Sequence, residues 1–80
     1  MIISFDLETT GLDKYNDEII EIALVKFDEK TFEILDVFST FVNPNKPIPD
    51  IISNVTWIYY TDVENAPLLN DIKKEILEFI

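Results

Sequence analysis

The sequence predicts one small α/β domain over residues 1–80, with three β-strands in succession followed by short helices and one longer helix. Three observations carry this expectation. The first half holds three runs rich in β-branched and aromatic residues, separated by turn residues. A segment at 43–49 contains three of the four prolines and ends the strand region. Beyond it, apolar residues at 68, 69, 72, 76, 79 and 80 trace a helical stripe.

Residues 1–8 read as a buried strand. Ile3, Phe5 and Leu7 fall on one face, directed at a core, and Ile2, Ser4, Asp6 and Glu8 fall on the other. Residues 9–17 form a polar loop that pivots on Gly11, the only glycine, with Asn16-Asp17 as a turn. Lys14 is the basic residue nearest the acids of this region. A second strand spans 18–28 and carries Ile19, Ile20, Ile22 and Val25; Glu21 among them reads as a solvated or paired strand residue. Residues 28–31 make a hairpin turn. The third strand covers 32–42, and its mixed alternation suggests cover on both faces over part of its length. After the proline segment, 50–55 form a short helical turn. Thr61 and Glu64 have the spacing of a capping box, marking another short helix start. Pro67 suits the first turn of a final helix over 67–80. That stripe meets no stop signal at Ile80, so the chain is expected to be the N-terminal part of a larger domain.

Composition narrows the function classes. Six basic residues face 16 acidic ones, a net charge of −10. Such a chain does not grip phosphate backbones by charge alone, although metal ions or a partner could supply positive charge locally. There is no cysteine, hence neither a disulfide staple nor a thiolate metal site, and the expected compartment is the cytoplasm. No apolar stretch approaches the roughly 18 residues of a membrane span. Histidine is absent.

Chemistry concentrates at the end of the first strand. Asp6 and Glu8 are spaced i, i+2, so an extended backbone places both carboxylates on one face. Like charges this close call for a cation, and a hard divalent ion with oxygen ligands suits them. A pair of metal ions about 4 Å apart is the usual device for phosphoryl hydrolysis. In that reading Asp6 bridges the ions and Glu8 holds the ion of the attacking water. Neither then serves as general base, because both are committed to metal.

The segment F-D-L-E-T-T-G-L at 5–12 resembles the first motif of the DEDD 3′–5′ exonucleases of the proofreading, epsilon-subunit-like type. The likeness continues through I-I-E-I-A-L-V-K at 19–26, F-S-T-F-V-N-P-N-K-P-I-P at 38–49, V-T-W-I at 55–58 and N-A-P at 65–67, and so runs the length of the chain. The resemblance implies a ribonuclease-H-like fold. It also implies a site of four acids with two Mg²⁺ or Mn²⁺ ions, and release of nucleoside monophosphates from a single-stranded 3′ end, DNA being favoured over RNA. It makes Asp6 and Glu8 the first two acids. Thr9 and Thr10 would approach the terminal nucleotide through backbone and hydroxyl groups, and Val55 and Thr56 would lie against its base or sugar. The implied partners are the nucleic acid and a polymerase or other protein.

Departures from the pattern matter equally. The family's later aspartates and its histidine or tyrosine are not in these 80 residues. Trp57 stands where the family has glycine, and its ring could stack on a base or obstruct the site. The first strand, central in the family's sheet, would be an exposed edge here, which implies self-association or completion by another segment. A non-catalytic exonuclease-like module acting through a protein partner is the alternative.

Overall fold

The alternating runs form a three-stranded antiparallel sheet of order β1-β2-β3, from β1 (Ile2–Thr9), β2 (Ile19–Phe27) and β3 (Ile34–Phe41). Three helices follow: α1 (Asp50–Thr56), α2 (Tyr60–Val63) and α3 (Leu69–Phe79). This computed structural model describes residues 1–13 and 15–80, so Lys14 lies outside the described residues.

Facing residues in an antiparallel ladder put their side chains on the same side of the sheet. Leu24 faces Phe5 and Phe38, and Ile22 faces Leu7 and Thr40. Ile22 and Leu24 are buried with Val42, Ile72 and Phe79, so this is the face that α3 covers. The α3 stripe acts through Leu69, Ile72, Ile76 and Phe79, spaced three, four and three apart. Phe79 packs its ring against Phe38, centroids 6.1 Å apart, and lies under the Lys26 ammonium. A second cluster forms where α1, α2 and the proline segment meet the start of β2: Ile20, Ile48, Ile58 and Val63, with Ile52 and Ala66 against them. Burying one such side chain contributes about 1.5–3 kcal/mol.

The expected burial of β1 is not realised: Ile3 is half-buried, and Phe5 and Leu7 are exposed. Phe5 lies on the α3 side but is 70% exposed, because α3 packs over β2 and β3 rather than over β1. The outer edge of β1 has no strand beside it among the described residues. Cover on both faces of β3 is also absent, since Ile34, Leu35, Val37 and Phe41 are exposed.

Turn and cap chemistry moved several boundaries. Phe32, expected in the third strand, is left-handed at φ 59° and donates its N–H to the Asp28 carbonyl at 2.8 Å. It belongs to the hairpin, where the Asp28 carboxylate also accepts the N–H groups of Lys30 and Thr31. The cap expected at Thr61 and Glu64 sits two residues earlier. The Asp62 carboxylate accepts the Tyr59 N–H at 2.9 Å and so starts α2 at Tyr60. Likewise Asp71 accepts the Leu68 N–H, and α3 starts at Leu69. Pro67 therefore stands outside the helix, where its carbonyl takes the Asn43 N–H at 2.9 Å and ties α3 to the proline segment. Among the described residues no helix is long and apolar enough to cross a membrane.

Candidate functional site

Asp6 and Glu8 lie on the sheet face opposite α3. Asp6 is in register with Ala23 and Ser39, and Glu8 with Glu21 and Phe41. The row across from Asp6 is thus built of small side chains, which leaves the carboxylate open across the sheet. The row across from Glu8 sets two carboxylates opposite each other, a destabilising arrangement without a cation. Immediately after Glu8 the register shifts: Glu8 faces Glu21, but Thr9 faces Ile19. This bulge bends the strand where the acidic pair gives way to the loop, a device that re-aims side chains at strand ends.

Among the described residues nothing neutralises the pair. The ion pairs among the described residues join Met1 with Glu29, Lys46 with Asp17, and Lys74 with Glu78. The Asp6 and Glu8 carboxylates have neither an ion pair nor a hydrogen bond there, apart from the backbone ladder of the strand. As donors they are hard oxygens, suited to Mg²⁺ or Mn²⁺, and Mg²⁺ is commonly held by one or two carboxylates plus water and substrate phosphate. Among the described residues no group of three or more acids is gathered tightly enough to cage a metal, so Glu21 does not complete a three-carboxylate site. The residues present fit a cation shared with substrate.

The loop after the pair is organised by Asp17. Its Oδ1 accepts the Thr10 hydroxyl at 2.8 Å and its Oδ2 accepts the Asp13 N–H at 2.8 Å. Lys46 stands 3.8 Å from the same carboxylate and donates to the Asn16 carbonyl at 2.7 Å. Gly11 is required by this packing: an added Cβ would collide with the Asp17 carboxylate, 2.8 Å from its carbon. Asp13 caps the turn by accepting the Tyr15 N–H and the Asn16 side-chain amide. Those bonds, the Asn16 amide first and the Tyr15 N–H next, hold the Asp13 carboxyl below its ordinary range.

The sequence-expected contacts divide accordingly. Thr9 is half-buried, with its hydroxyl donated to the Gly11 carbonyl. Thr10 is 1% exposed. Its hydroxyl is donated to Asp17 and accepts the Glu18 N–H, while its own N–H goes to the Glu18 carbonyl. An approach to a nucleotide through those groups is closed by their internal partners, so Thr10 holds the loop in place. Val55 is exposed on the last turn of α1. Thr56 donates its hydroxyl to the Ile52 carbonyl and accepts the Ile58 N–H, which fixes the turn that follows. Asp17 and Lys46 did not stand out in the sequence. No spacing rule ranks Asp17 above its acidic neighbours, and its role emerges only when the loop folds back on Thr10. A hollow of about 440 Å³ lies beside this loop, lined by Thr9, Gly11, Leu12, Asp17 and Leu69 among others.

Comparison with known proteins follows the same outline. Residues 3–80 match the family described as exonuclease. The chain is 48% identical over 77 residues to a DNA polymerase III PolC-type from Caldanaerobacter subterraneus subsp. tengcongensis, covering 96% of this chain and 5% of that one. It is 40% identical over 78 residues to the PolC-type protein of Bacillus subtilis, covering 98% and 5%. The chain thus spans about 5% of the length of the curated relatives it matches. Among solved structures, it superposes on the nuclease domain of 3′hExo, a DEDDh family member bound to rAMP, with a TM-score of 0.84 and 26% identity, covering 96% of this chain and 42% of that one. Exonuclease X in complex with 5′ overhanging duplex DNA gives a TM-score of 0.80 and 28% identity, covering 95% and 43%. The sheet and helices are those of the ribonuclease-H-like exonuclease fold, of which the chain carries part.

Proposed function

This chain belongs to the exonuclease family that residues 3–80 match, and from that premise we propose that Asp6 and Glu8 serve hydrolysis of nucleic-acid 3′ ends. The substrate is a single-stranded DNA end and the products are nucleoside monophosphates. The observation that carries this is the acidic pair itself: two hard-oxygen donors without an ion pair among the described residues, on an open sheet face, directly before the loop that Asp17 holds.

When bound, two divalent ions supply an activated water and stabilise the leaving oxygen. The chain's own residues hold and orient. Asp6 and Glu8 would hold the ions from one strand face, and Ala23 and Ser39 leave room across the sheet for a phosphate. Thr9, at the bulge, stands nearest the end of the strand as the first contact for the terminal nucleotide. Thr10 and Asp17 fix the loop behind it. Val55, exposed at the end of α1, offers an apolar contact for the terminal base or sugar, with Thr56 locking that turn. The chain has no histidine, so a histidine general base does not come from these residues. Asp6 and Glu8 are two of the four acids such a site uses.

DNA is preferred over RNA because the curated relatives are DNA polymerases by name. The same names support a polymerase as the protein partner, and the compartment proposed with it is the cytoplasm. A second contact is self-association along the open edge of β1, which sedimentation at several concentrations tests; a monomer throughout rejects it. The catalytic reading is tested, with these residues in a polypeptide that supplies the other two acids, by Mn²⁺-dependent release of label from a 3′-labelled single strand of DNA, with an RNA strand in parallel. Release that Asp6→Ala abolishes is expected. Release unchanged in Asp6→Ala assigns the activity elsewhere and overturns the reading.

A further inference from the structure

Trp57 is the only tryptophan, and it is 82% exposed. Its backbone lies in the left-handed region, φ 64° and ψ 19°, as the residue that closes α1. For any side chain with a Cβ that conformation is unfavourable, which is why glycine is the usual residue at such a position. The conformation is imposed from both sides. The Trp57 N–H is donated to the Ser53 carbonyl at 2.8 Å. The Thr56 hydroxyl bridges the Ile52 carbonyl and the Ile58 N–H. Ile58 is buried against Ile20, Ile48 and Val63. The turn is therefore fixed by its neighbours, and the indole gains nothing from the fold in exchange for the strain. Among the described residues it has no hydrogen-bond partner and no ring partner, since the one ring pair joins Phe38 and Phe79. What remains is a large flat apolar surface, held in water on a rigid turn.

The residues that follow its turn are linked, through the proline segment, to the loop after the acidic strand. Tyr60, three residues on and so within about 11 Å of chain, lines a hollow with Asn45, Lys46 and Pro47. Lys46 in turn is bound to Asp17 and the Asn16 carbonyl, in the loop that follows Glu8. At a net charge of −10 this chain opposes phosphate binding by charge. Stacking of a base on an aromatic face needs no charge and tolerates any sequence.

We propose that Trp57 is a stacking platform for a nucleobase of the bound single strand and positions that strand relative to Asp6 and Glu8. This rests on the exonuclease reading above. The test uses Mg²⁺ and a short oligothymidylate with a phosphorothioate 3′ linkage to slow hydrolysis. Binding is followed in two ways: by anisotropy of a 5′ label, and by Trp57 fluorescence, which in this chain reports from one site. Expected are a fluorescence change that saturates with the anisotropy, binding about 5- to 150-fold weaker in Trp57→Gly, and recovery of most of the loss in Trp57→Phe. Trp57→Gly relieves the backbone, so its thermal midpoint should not fall, and lost affinity is then not lost folding. Binding by anisotropy with unchanged fluorescence, and equal affinity in Trp57→Gly, overturns the role of Trp57 and leaves the exonuclease reading standing. Tighter binding in Trp57→Gly makes the ring an obstruction and overturns the proposal as well. Absence of binding to both proteins overturns both readings.

Discussion

Removal of the Asp17 carboxylate should loosen the loop behind the acidic pair by a calculable amount. In Asp17→Ala the Thr10 hydroxyl, donated to Oδ1 at 2.8 Å, loses its acceptor. Thr10 is buried, so stranding that group costs about 1–3 kcal/mol. The Asp13 N–H, donated to Oδ2 at 2.8 Å, is exposed and returns to water at little cost. The ion pair with Lys46 at 3.8 Å is part-exposed and contributes about 0–1 kcal/mol. The total is about 1–4 kcal/mol, against about 4–12 kcal/mol for a domain of this length. With a urea slope of about 1 kcal/mol per molar, the unfolding midpoint falls by about 1–4 M, read by far-ultraviolet circular dichroism. Asp17→Asn keeps one oxygen, which can serve Thr10 or the Asp13 N–H but not both, and should lose about half as much. If Asp17→Ala lies within about 0.5 kcal/mol of the wild type, as a plain surface change would, Asp17 does not organise this loop.

Three further outcomes follow from the same structure. Gly11→Ala drives its Cβ into the Asp17 carboxylate and should cost about 1–3 kcal/mol; in the Asp17→Ala background the penalty should shrink, and a fully additive double mutant would refute the collision. Glu21→Gln removes the carboxylate facing Glu8 and should stabilise the metal-free chain by about 0.2–1 kcal/mol in urea unfolding, whereas a loss would show that Glu21 has a favourable partner. Asp13 and Asp28 are both held below their ordinary value of 3.8, Asp13 chiefly by the Asn16 amide and Asp28 chiefly by the Thr31 N–H. A depressed carboxyl adds stability that is complete above its unfolded pKa and is lost as pH falls through the folded one. Thermal midpoints should therefore decline below about pH 4 for this reason, and NMR titration should place both carboxyl midpoints under 3.8; midpoints at or above it contradict the assigned hydrogen bonds.

The pattern of alternation was enough to place all three strands and the last helix, because β-branched runs and a helical stripe report directly on which side of an element is buried. It also placed Asp6 and Glu8 side by side, a consequence of strand geometry alone. Four kinds of feature were not readable. Phe5 looks like core in sequence, yet burial depends on what lies opposite, and α3 covers β2 and β3. Helix starts moved because Asp62 and Asp71 reach back to the N–H groups of Tyr59 and Leu68, a contact that several nearby acids could have made. The roles of Asp17 and Lys46 depend on a loop folding onto itself over tens of residues, which no local spacing encodes. Thr10 was expected at the nucleotide and is instead buried in the loop, with its hydroxyl proton and its N–H both donated internally, to Asp17 and to the Glu18 carbonyl.

Whether Asp6 and Glu8 hold a divalent ion is tested most directly by titrating Mn²⁺ into the isotopically labelled chain and following amide signals by NMR. Paramagnetic broadening should erase Asp6, Leu7 and Glu8 first, together with Glu21 and Ala23 across the ladder, and Asp6→Ala should abolish that pattern. Broadening centred on the loop around Asp13 and Asp17, with residues 6–8 still sharp, would contradict it.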